Sequence, residues 1–215
     1  MKIYDISVPL RENMPVWPHE LGFEKKQKHI GPICVTEIKM GLHAGTHLDA
    51  PYHFIPGGKK IAEIPLERFI GPARVVEISN PKQITVKELR EKELHGCPNI
   101  LFKTENYKLW SSSEFNHDFL GLDLEAAKYM TDIGVNLVGA DYLSVEAFGS
   151  EGGPVHINLL QKEIIILEGL DLSEVAEGDY YLFCAPLKIL DVEASPVRAF
   201  LIQNDEWIFP QINQD

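Results

Sequence analysis

Four side chains that commonly bind divalent metals recur at alternate positions in residues 41–54, which read GLHAGTHLDAPYHF. They are His43, His47, Asp49 and His53. Imidazole and carboxylate are the groups that zinc, manganese and ferrous iron take from a protein. Side chains of an extended segment alternate between its faces, so these four would project to the same side. The alternative is a histidine-rich loop with ordinary core histidines, but the shared parity favours a metal site.

A straight strand would nevertheless keep His43 and His47 too far apart to share one ion. Four residues of strand span about 13 Å, whereas two ligands of one ion lie roughly 3–3.5 Å apart because metal–nitrogen bonds are about 2 Å long. Gly45 allows the chain to curl between them, and the Thr46 side chain can hydrogen-bond locally to hold such a bend. We therefore expect a glycine bend inside this segment.

The elements that position these residues are predicted to be strands joined by turns. Residues 33–42 (ICVTEIKMGL) predict a strand that leads directly into His43, and a strand end holds a site more tightly than a loop does. Pro51 fixes φ and lacks a donor, which argues against a helix running from Asp49 to His53. Further along, the glycine-rich loop 149–154 leads to His156, and the apolar run IIIL leads to Glu168. Composition alone leaves the roles of His156 and Glu168 open.

The rest of the chain predicts a mixed α/β domain in which strands outnumber helices. Helices are expected at 85–94, where Thr85 and Glu88 have capping-box spacing, and at 122–133, with Asp123 as N-cap and Gly134 as the stop. Strand, helix and strand alternate around the second helix, which is typical of α/β folds. Strands are predicted at 2–10, 71–79, 100–102 and 135–139, and a terminal hairpin at 180–190 and 197–203 around an EASP turn.

Size and charge exclude several classes of function. A chain of 215 residues with 45% hydrophobic and 24% charged residues suits one domain with a substantial core, and we expect residues 1–215 to form it. The net charge of −12 disfavours nucleic acid and anionic membranes as partners. The N-terminus MKIYDISVPL lacks the apolar region of a signal peptide, and no apolar run approaches the roughly 20 residues of a membrane span. A cytoplasmic protein with a small-molecule partner is expected.

The three cysteines give no sign of a disulfide framework or a thiolate metal site. Cys34, Cys97 and Cys184 are an odd number and form no CxxC pair. Cys34 and Cys184 fall in strand-like runs and are expected to be buried small hydrophobes. A Cys97–His95 nucleophile is an alternative for which no activating partner is apparent.

The stretch HAGTHLDAPYH resembles the His-x-Gly-Thr-His-x-Asp-x-Pro-x-His signature of the metal-dependent cyclase-type hydrolases. The resemblance covers nearly the whole chain, from IYDISVPL to PVRAFLI. It implies a β-rich single domain of the swivelling β/α/β type. It also implies that His43, His47 and Asp49 bind one ion, and that Asp49, His156 and Glu168 bind a second. Zinc, as one or two ions, is the implied cofactor, and manganese is an alternative.

The resemblance implies hydrolysis of an amide or formamide C–N bond, with N-formyl-L-kynurenine as the first expected substrate. This reaction gives L-kynurenine and formate in tryptophan breakdown. A group must then move protons, and His53 is the chosen acid/base because its reference pKa of about 6.5 suits both transfers. The alternatives are a relative that opens a cyclic amide such as isatin, and a non-catalytic metal-binding protein.

Further expectations concern the surroundings of the site and the oligomeric state. In a loop with two prolines, Trp17 would by composition alone be a packing anchor, but the resemblance implies that it lines an aryl pocket. His19 departs from the family, which usually continues Trp-Pro-Gly. An acid in the loop that contains Asp141 and Glu146 could orient a metal ligand or simply belong to a turn. The resemblance also implies a homodimer or higher homo-oligomer.

Overall fold

The computed structural model describes residues 1–79 and 82–203, and within them a nine-stranded mixed sheet forms the centre of the fold. The strand order is β1-β11-β9-β5-β6-β7-β8-β4-β10. The strands are β1 Lys2–Asp5, β4 His47–Asp49, β5 Ile70–Glu77, β6 Asn99–Lys103, β7 Leu137–Ala140, β8 Ile165–Glu168, β9 Gly178–Phe183, β10 Ala194–Pro196 and β11 Phe200–Gln203. A separate ribbon pairs β2 Glu24–Ile30 with β3 Ile33–Lys39.

Strands β5, β6, β7 and β8 run parallel in the middle of the sheet, and antiparallel strands extend it on both sides. In the described part of the chain three α-helices accompany the sheet: α1 Val86–Arg90, α2 Leu124–Asp132 and α3 Pro154–Leu160. The capping box of Thr85 and Glu88 forms as expected, and the Asp123 side chain accepts a hydrogen bond from the Ala126 backbone. The α/β, β-rich fold expected from the sequence is confirmed.

The sheet buries both of its faces, which explains the apolar character of its central strands. Along β6, Ile100 and Phe102 face the helices and pack with Met130 of α2. Leu101 lies between them and enters a second cluster on the opposite face. This alternation is the period of two expected for a strand. The strands of this one sheet come from segments between residues 2 and 203. The expected domain is 1–215, of which residues 80–81 and 204–215 lie outside the described residues.

A glycine bend precedes β4, as the spacing of the histidines predicted. Gly45 has φ +74°, a conformation that glycine adopts without steric cost. The Thr46 hydroxyl donates to the Gly169 carbonyl at 2.5 Å and accepts from the Val8 amide at 2.9 Å. Gly169 also has a positive φ, and a Cβ there would lie 2.1 Å from the Gly45 carbonyl oxygen. The bend before β4 and the end of β8 are therefore in backbone contact.

The predicted strand 33–42 exists but does not have the role expected of it. It ends at Lys39 and pairs only with β2 in the exposed ribbon, so a turn and not a strand end carries His43. Cys34 lies on this ribbon and is exposed, which makes the prediction of a buried Cys34 wrong. The alternation of apolar residues in β3 resembles that of a core strand, and nothing local reveals that the ribbon leaves the body. Cys184 is buried as expected.

One other local prediction was wrong because tertiary pairing prevailed. The EASP segment is not a turn: Ala194–Pro196 forms β10, which pairs with β4 along its whole length. The glycine-rich loop before His156 has no helix or strand over residues 149–153, and it leads into helix α3, which starts at Pro154 and contains His156. Pro51 stops a helix from including Asp49, but it occupies the first position of a 3₁₀ turn, Pro51–His53. None of the helices in residues 1–79 and 82–203 has both the length and the apolarity to cross a bilayer.

Candidate active site

The pairing of β4 with β8 creates the centre of the site. In that register His47 lies opposite Glu168, and Asp49 lies opposite Ile166. His47 and Asp49 share one face because they are two residues apart, while Leu48 between them enters the core. The His47 Nε2 atom is 3.4 Å from Glu168 Oε2 and 3.5 Å from Asp49 Oδ1. All three side chains are buried.

The bend at Gly45 returns His43 to the same place. Its Nδ1 atom lies 3.0 Å from Asp49 Oδ1, and its ring centroid is 5.0 Å from that of His47. The His47 Nδ1 atom is 2.9 Å from the Gly45 carbonyl oxygen. A proton on Nδ1 can only be donated to that oxygen, so this contact leaves the Nε2 lone pair free for a metal.

His156 completes the cluster from helix α3. Its Nε2 atom is 3.3 Å from Glu168 Oε1, and its Nδ1 atom is 2.7 Å from Glu146 Oε2. Glu146 also accepts from the backbone amides of Val155 and His156, at 3.2 and 3.3 Å. Glu146 therefore fixes the start of α3 and directs the Nε2 atom of His156 inward. This is the carboxylate–histidine arrangement that orients metal ligands.

The donor set fits a divalent cation. The buried atoms His47 Nε2, Asp49 Oδ1 and Asp49 Oδ2 make no hydrogen bond of acceptable geometry among the described residues, although His43 Nδ1 lies 3.0 Å from Asp49 Oδ1. Unsatisfied buried polar atoms are costly, and a bound cation would satisfy these three. Two groups of three residues bring their ligand atoms within 4.8 Å of one another: His47, Asp49 and Glu168, and His43, Asp49 and His53. Asp49 belongs to both groups, but neither group is one of the two ligand sets that the resemblance implies, because His156 is in neither and His53 is in one.

Electrostatics keep the carboxylates ionised. Burial opposes charge on Asp49, but the facing rings of His43 and His53 outweigh burial and hold its pKa well below the ordinary value. Burial and the charge of Asp49 raise the pKa of Glu168, yet its contacts with His156 and His47 leave it lowered overall. Burial also opposes the charge on His156, but Glu146 and Glu168 raise its pKa to about 10. A cation that binds here therefore displaces a proton from His156.

His43 and His53 are neighbours but differ in charge. Burial lowers the pKa of His43, but the carboxylates of Asp49, Glu20 and Glu168 outweigh it and raise that pKa to about 9. Burial lowers the pKa of His53, and the positive rings of His43 and His156 lower it further against the pull of Asp49. The His53 ring lies with its centroid 4.4 Å from that of His43 and 6.2 Å from that of His156. It is thus a neutral imidazole beside the cluster.

A cavity of about 230 Å³ opens onto the cluster. His43, His53, His156 and Glu168 form its floor, and Trp17 forms part of its wall. The Trp17 ring packs edge-on against Phe115, with centroids 5.2 Å apart, and is 5.4 Å from Phe148. The structure thus brings together all seven residues singled out in the sequence: His43, His47, Asp49, His53, His156, Glu168 and Trp17.

Trp17 enters the cavity from a tight turn. The Glu20 amide donates to the Trp17 carbonyl at 3.0 Å, and His19 at the third position has φ +72°. A proline at the second position and a positive φ at the third are the marks of a type II turn. This geometry explains why the family uses glycine where this chain has His19. It also places Glu20, which sequence reasoning missed, in the cavity lining.

The two acids whose roles were open have separate functions in the structure. Glu146 orients His156, whereas Asp141 accepts from the amide and hydroxyl of Thr104, at 2.7 and 2.8 Å. Burial raises the pKa of Asp141 to about 6, and the Thr104 hydrogen bonds only partly offset it. Asp141 thereby anchors the segment 104–111 that carries Trp110. Spacing alone gave no means of telling these two acids apart.

Cys97 lacks the surroundings of a nucleophile. It is half-buried against the helix-side core and is not part of the cavity lining. Burial raises the pKa of its thiol, against a smaller opposing effect of Arg74, so the reactive thiolate is disfavoured.

The chain is similar to known proteins over nearly its whole length. The Cyclase family model matches residues 4–147. A kynurenine formamidase of Geobacillus thermodenitrificans (strain NG80-2) is 40% identical over 202 residues, which are 92% of this chain and 95% of that protein. A kynurenine formamidase of Bacillus cereus (strain ATCC 14579) is 34% identical over 203 residues, 92% of this chain and 95% of that one.

Solved structures are also similar in fold over nearly the whole chain. A Bacillus stearothermophilus protein described as a predicted metal-dependent hydrolase has a TM-score of 0.82 and 33% identity, covering 93% of this chain and 97% of that one. Isatin hydrolase A from Labrenzia aggregata, bound to benzyl benzoate, has a TM-score of 0.83 and 26% identity, with 93% of each chain covered.

Replacement of Glu146 tests the geometry of the cluster. Glu146→Gln removes the charge that orients His156 but leaves the side-chain shape, so zinc affinity should fall about 10- to 100-fold. Competition titration against a fluorescent zinc chelator measures this change. Glu151→Gln, an exposed glutamate in the following loop, is the matched control and should bind as the wild type does. Unchanged affinity in Glu146→Gln would contradict the role assigned to Glu146.

Proposed function

The chain belongs to the Cyclase family, and from this premise we propose that it is a metal-dependent hydrolase of arylformamides. Its proposed substrate is N-formyl-L-kynurenine, which it would hydrolyse to L-kynurenine and formate. The observation that carries the proposal is the set of buried, unpartnered atoms of His47 and Asp49 facing Glu168 below an aromatic-walled cavity.

We propose His43, His47 and Asp49 as ligands of one ion and Asp49, His156 and Glu168 as ligands of a second. Zinc is the proposed metal, and manganese would serve a single-ion form. A divalent ion at this position supplies a Lewis acid for the formyl carbonyl and lowers the pKa of water to about 7. The protein residues have the remaining tasks of holding the substrate and moving protons.

Proton transfer is assigned to His53. Burial lowers its pKa, so the ring is neutral and can accept a proton from the attacking water. It can then donate that proton to the leaving aryl amine, which departs as the C–N bond breaks. Trp17 would pack against the aryl ring and hold the formyl group towards the cluster.

The assay of N-formyl-L-kynurenine tests the function directly. Protein supplied with zinc should release L-kynurenine, followed by its absorbance, and a chelator should abolish the activity until zinc or manganese is restored. A thiol reagent should leave the activity in place, because no cysteine is among the described residues that line the cavity. Turnover by protein shown to be metal-free by elemental analysis would contradict the proposal.

Replacement of His53 separates proton transfer from metal binding. Because a positioned acid/base contributes about 10²–10⁴ in rate, His53→Ala should lower kcat by that factor while the zinc content stays unchanged. Zinc content is measured by elemental analysis in parallel with kcat. The ligand atoms of His43, Asp49 and His53 also lie close together, so a loss of zinc would instead make His53 a ligand.

A second candidate reaction is the opening of a cyclic amide such as isatin. It is favoured by the similarity to isatin hydrolase A at 26% identity, and the same cluster would serve it. A non-catalytic metal-binding role is less compatible with a neutral histidine beside the cluster and an open cavity above it. Comparison of kcat/KM on isatin and on N-formyl-L-kynurenine distinguishes the two reactions.

We also propose that the chain is a single catalytic domain and that it works in the cytoplasm. We propose further that it forms a homodimer through its β2–β3 ribbon. The ribbon exposes Ile30, Ile33 and Ile38, each about 60% accessible, and an isolated two-stranded hairpin is only marginally stable. Its four lysines and two glutamates give it a formal charge of +2, whereas the whole chain carries −12. A second acidic copy would therefore complement it. Sedimentation equilibrium should give a dimer, and replacing residues 24–39 by a short glycine linker should give a monomer.

A further inference from the structure

We propose that Glu20 binds a positively charged amino group of the substrate, and so makes the enzyme selective for arylformamides that carry an ammonium group. This inference rests on the proposed function and adds to it the chemical class of substrate. It concerns a residue outside the signature motif, on the turn that also delivers Trp17.

The turn presents both residues to the same cavity. Trp17 and Glu20 are its first and fourth residues, closed by the 3.0 Å bond from the Glu20 amide to the Trp17 carbonyl. The Cα atoms of such residues are less than about 7 Å apart. Both side chains line the cavity. An aryl ring against Trp17 would therefore have Glu20 within reach of a short chain attached to the ring.

Glu20 differs from the other acids of the cavity because it has no partner. Glu146 is engaged with His156, and Glu168 faces His47 and His156. For Glu20, no side-chain hydrogen bond or ion pair is formed among residues 1–79 and 82–203. The Glu20 side chain lines the same cavity as His43 and Glu168. It is exposed at the mouth of the cavity, where a ligand can reach it.

The composition of the lining favours a cation over an anion. No lysine or arginine is among the described residues that line the cavity. An anionic substituent placed beside Glu20 would be repelled by it, whereas an ammonium would form a charge-assisted hydrogen bond with it. N-formyl-L-kynurenine carries an α-ammonium, next to its α-carboxylate, on a short acyl chain beside its formamide. Isatin carries no cation, so Glu20 would discriminate between the two candidate substrates.

The backbone of the turn is consistent with this role. His19 adopts φ +72° although it has a side chain, a conformation that is costly for residues other than glycine. His19 adopts this conformation in a turn whose second residue is Pro18, with its φ fixed by the ring. In this turn both Trp17 and Glu20 line one cavity. A relaxed turn at His19 would separate them.

Binding of two product analogues tests the inference without turnover. Kynuramine has the aryl amine, the ketone and an ammonium chain, whereas 2-aminoacetophenone has the first two groups only. Titration calorimetry on the zinc-loaded wild type should give about tenfold tighter binding of kynuramine, the value of a charge-assisted hydrogen bond at a partly exposed site. Glu20→Gln should lose this preference, and Glu12→Gln, an exposed glutamate in the same loop, should keep it.

Preference for kynuramine that persists in Glu20→Gln, or that the wild type lacks, would overturn the inference. Gln has the shape of Glu and position 20 is exposed, and thermal denaturation of the two variants should give equal midpoints.

Turnover of formanilide, an arylformamide without an ammonium group, tests the proposed function separately. If the wild type hydrolyses formanilide but Glu20→Gln has the wild-type ratio of kcat/KM for N-formyl-L-kynurenine over formanilide, the role of Glu20 fails and the function stands. If no formamide is hydrolysed but the kynuramine preference disappears in Glu20→Gln, the ammonium site stands and the function fails.

Discussion

The antiparallel pairing of β4 with β8 is the interaction on which the site depends. Its register places His47 opposite Glu168 and leaves Asp49 on the same face. A shift of one residue would turn Leu48 towards the cavity and bury His47 and Asp49 in the core. The register is held from both sides, because β10 pairs with the other edge of β4 and the Thr46 hydroxyl bonds to the Gly169 carbonyl. A strand of three residues is thus positioned more firmly than its length suggests.

Around this pair, the surrounding residues limit the freedom of three candidate metal ligands. The Gly45 carbonyl determines which nitrogen of His47 is free, and Glu146 does the same for His156. The amide of Val145 donates to Glu168 at 2.7 Å and fixes one of its oxygens. The remaining atoms, on His47 and Asp49, are the ones without partners. These contacts orient the cluster, and the atoms of His47 and Asp49 that make no hydrogen bond are the ones available to a cation.

The sequence revealed the site more completely than the fold that carries it. The residues 43–53 could be assigned to a metal site because ligand type and parity are local properties, and the glycine bend followed from the distance that two ligands of one ion require. His156 and Glu168 could be assigned to the site only through the family resemblance, since neither has a local pattern that sets it apart from a structural residue. Glu146 and Glu20 could not be assigned, because their roles depend on which segments meet in space.

The errors in the fold have the same origin. Residues 33–39 have the alternation of a core strand, but no feature within them shows that the strand pairs only with its neighbour and leaves the body. Residues 194–196 contain a proline and resemble a turn, yet pairing with β4 makes them a strand. Helix α3 was missed because glycines precede it, although Pro154 is a favourable first residue. For residues 194–196 the deciding partner, β4, lies far away in the sequence.

The donors of the cluster come from segments separated by more than a hundred positions in the chain, and this links folding to the supply of metal. An unfolded chain cannot assemble such a set of donors, so the free energy of cation binding adds to the free energy of unfolding. An ion bound to these donors would act as a reversible crosslink between the N-terminal and C-terminal halves of the sheet. In a cell short of that metal, the newly made protein would be less resistant to proteolysis, and its abundance as well as its activity would follow the metal concentration.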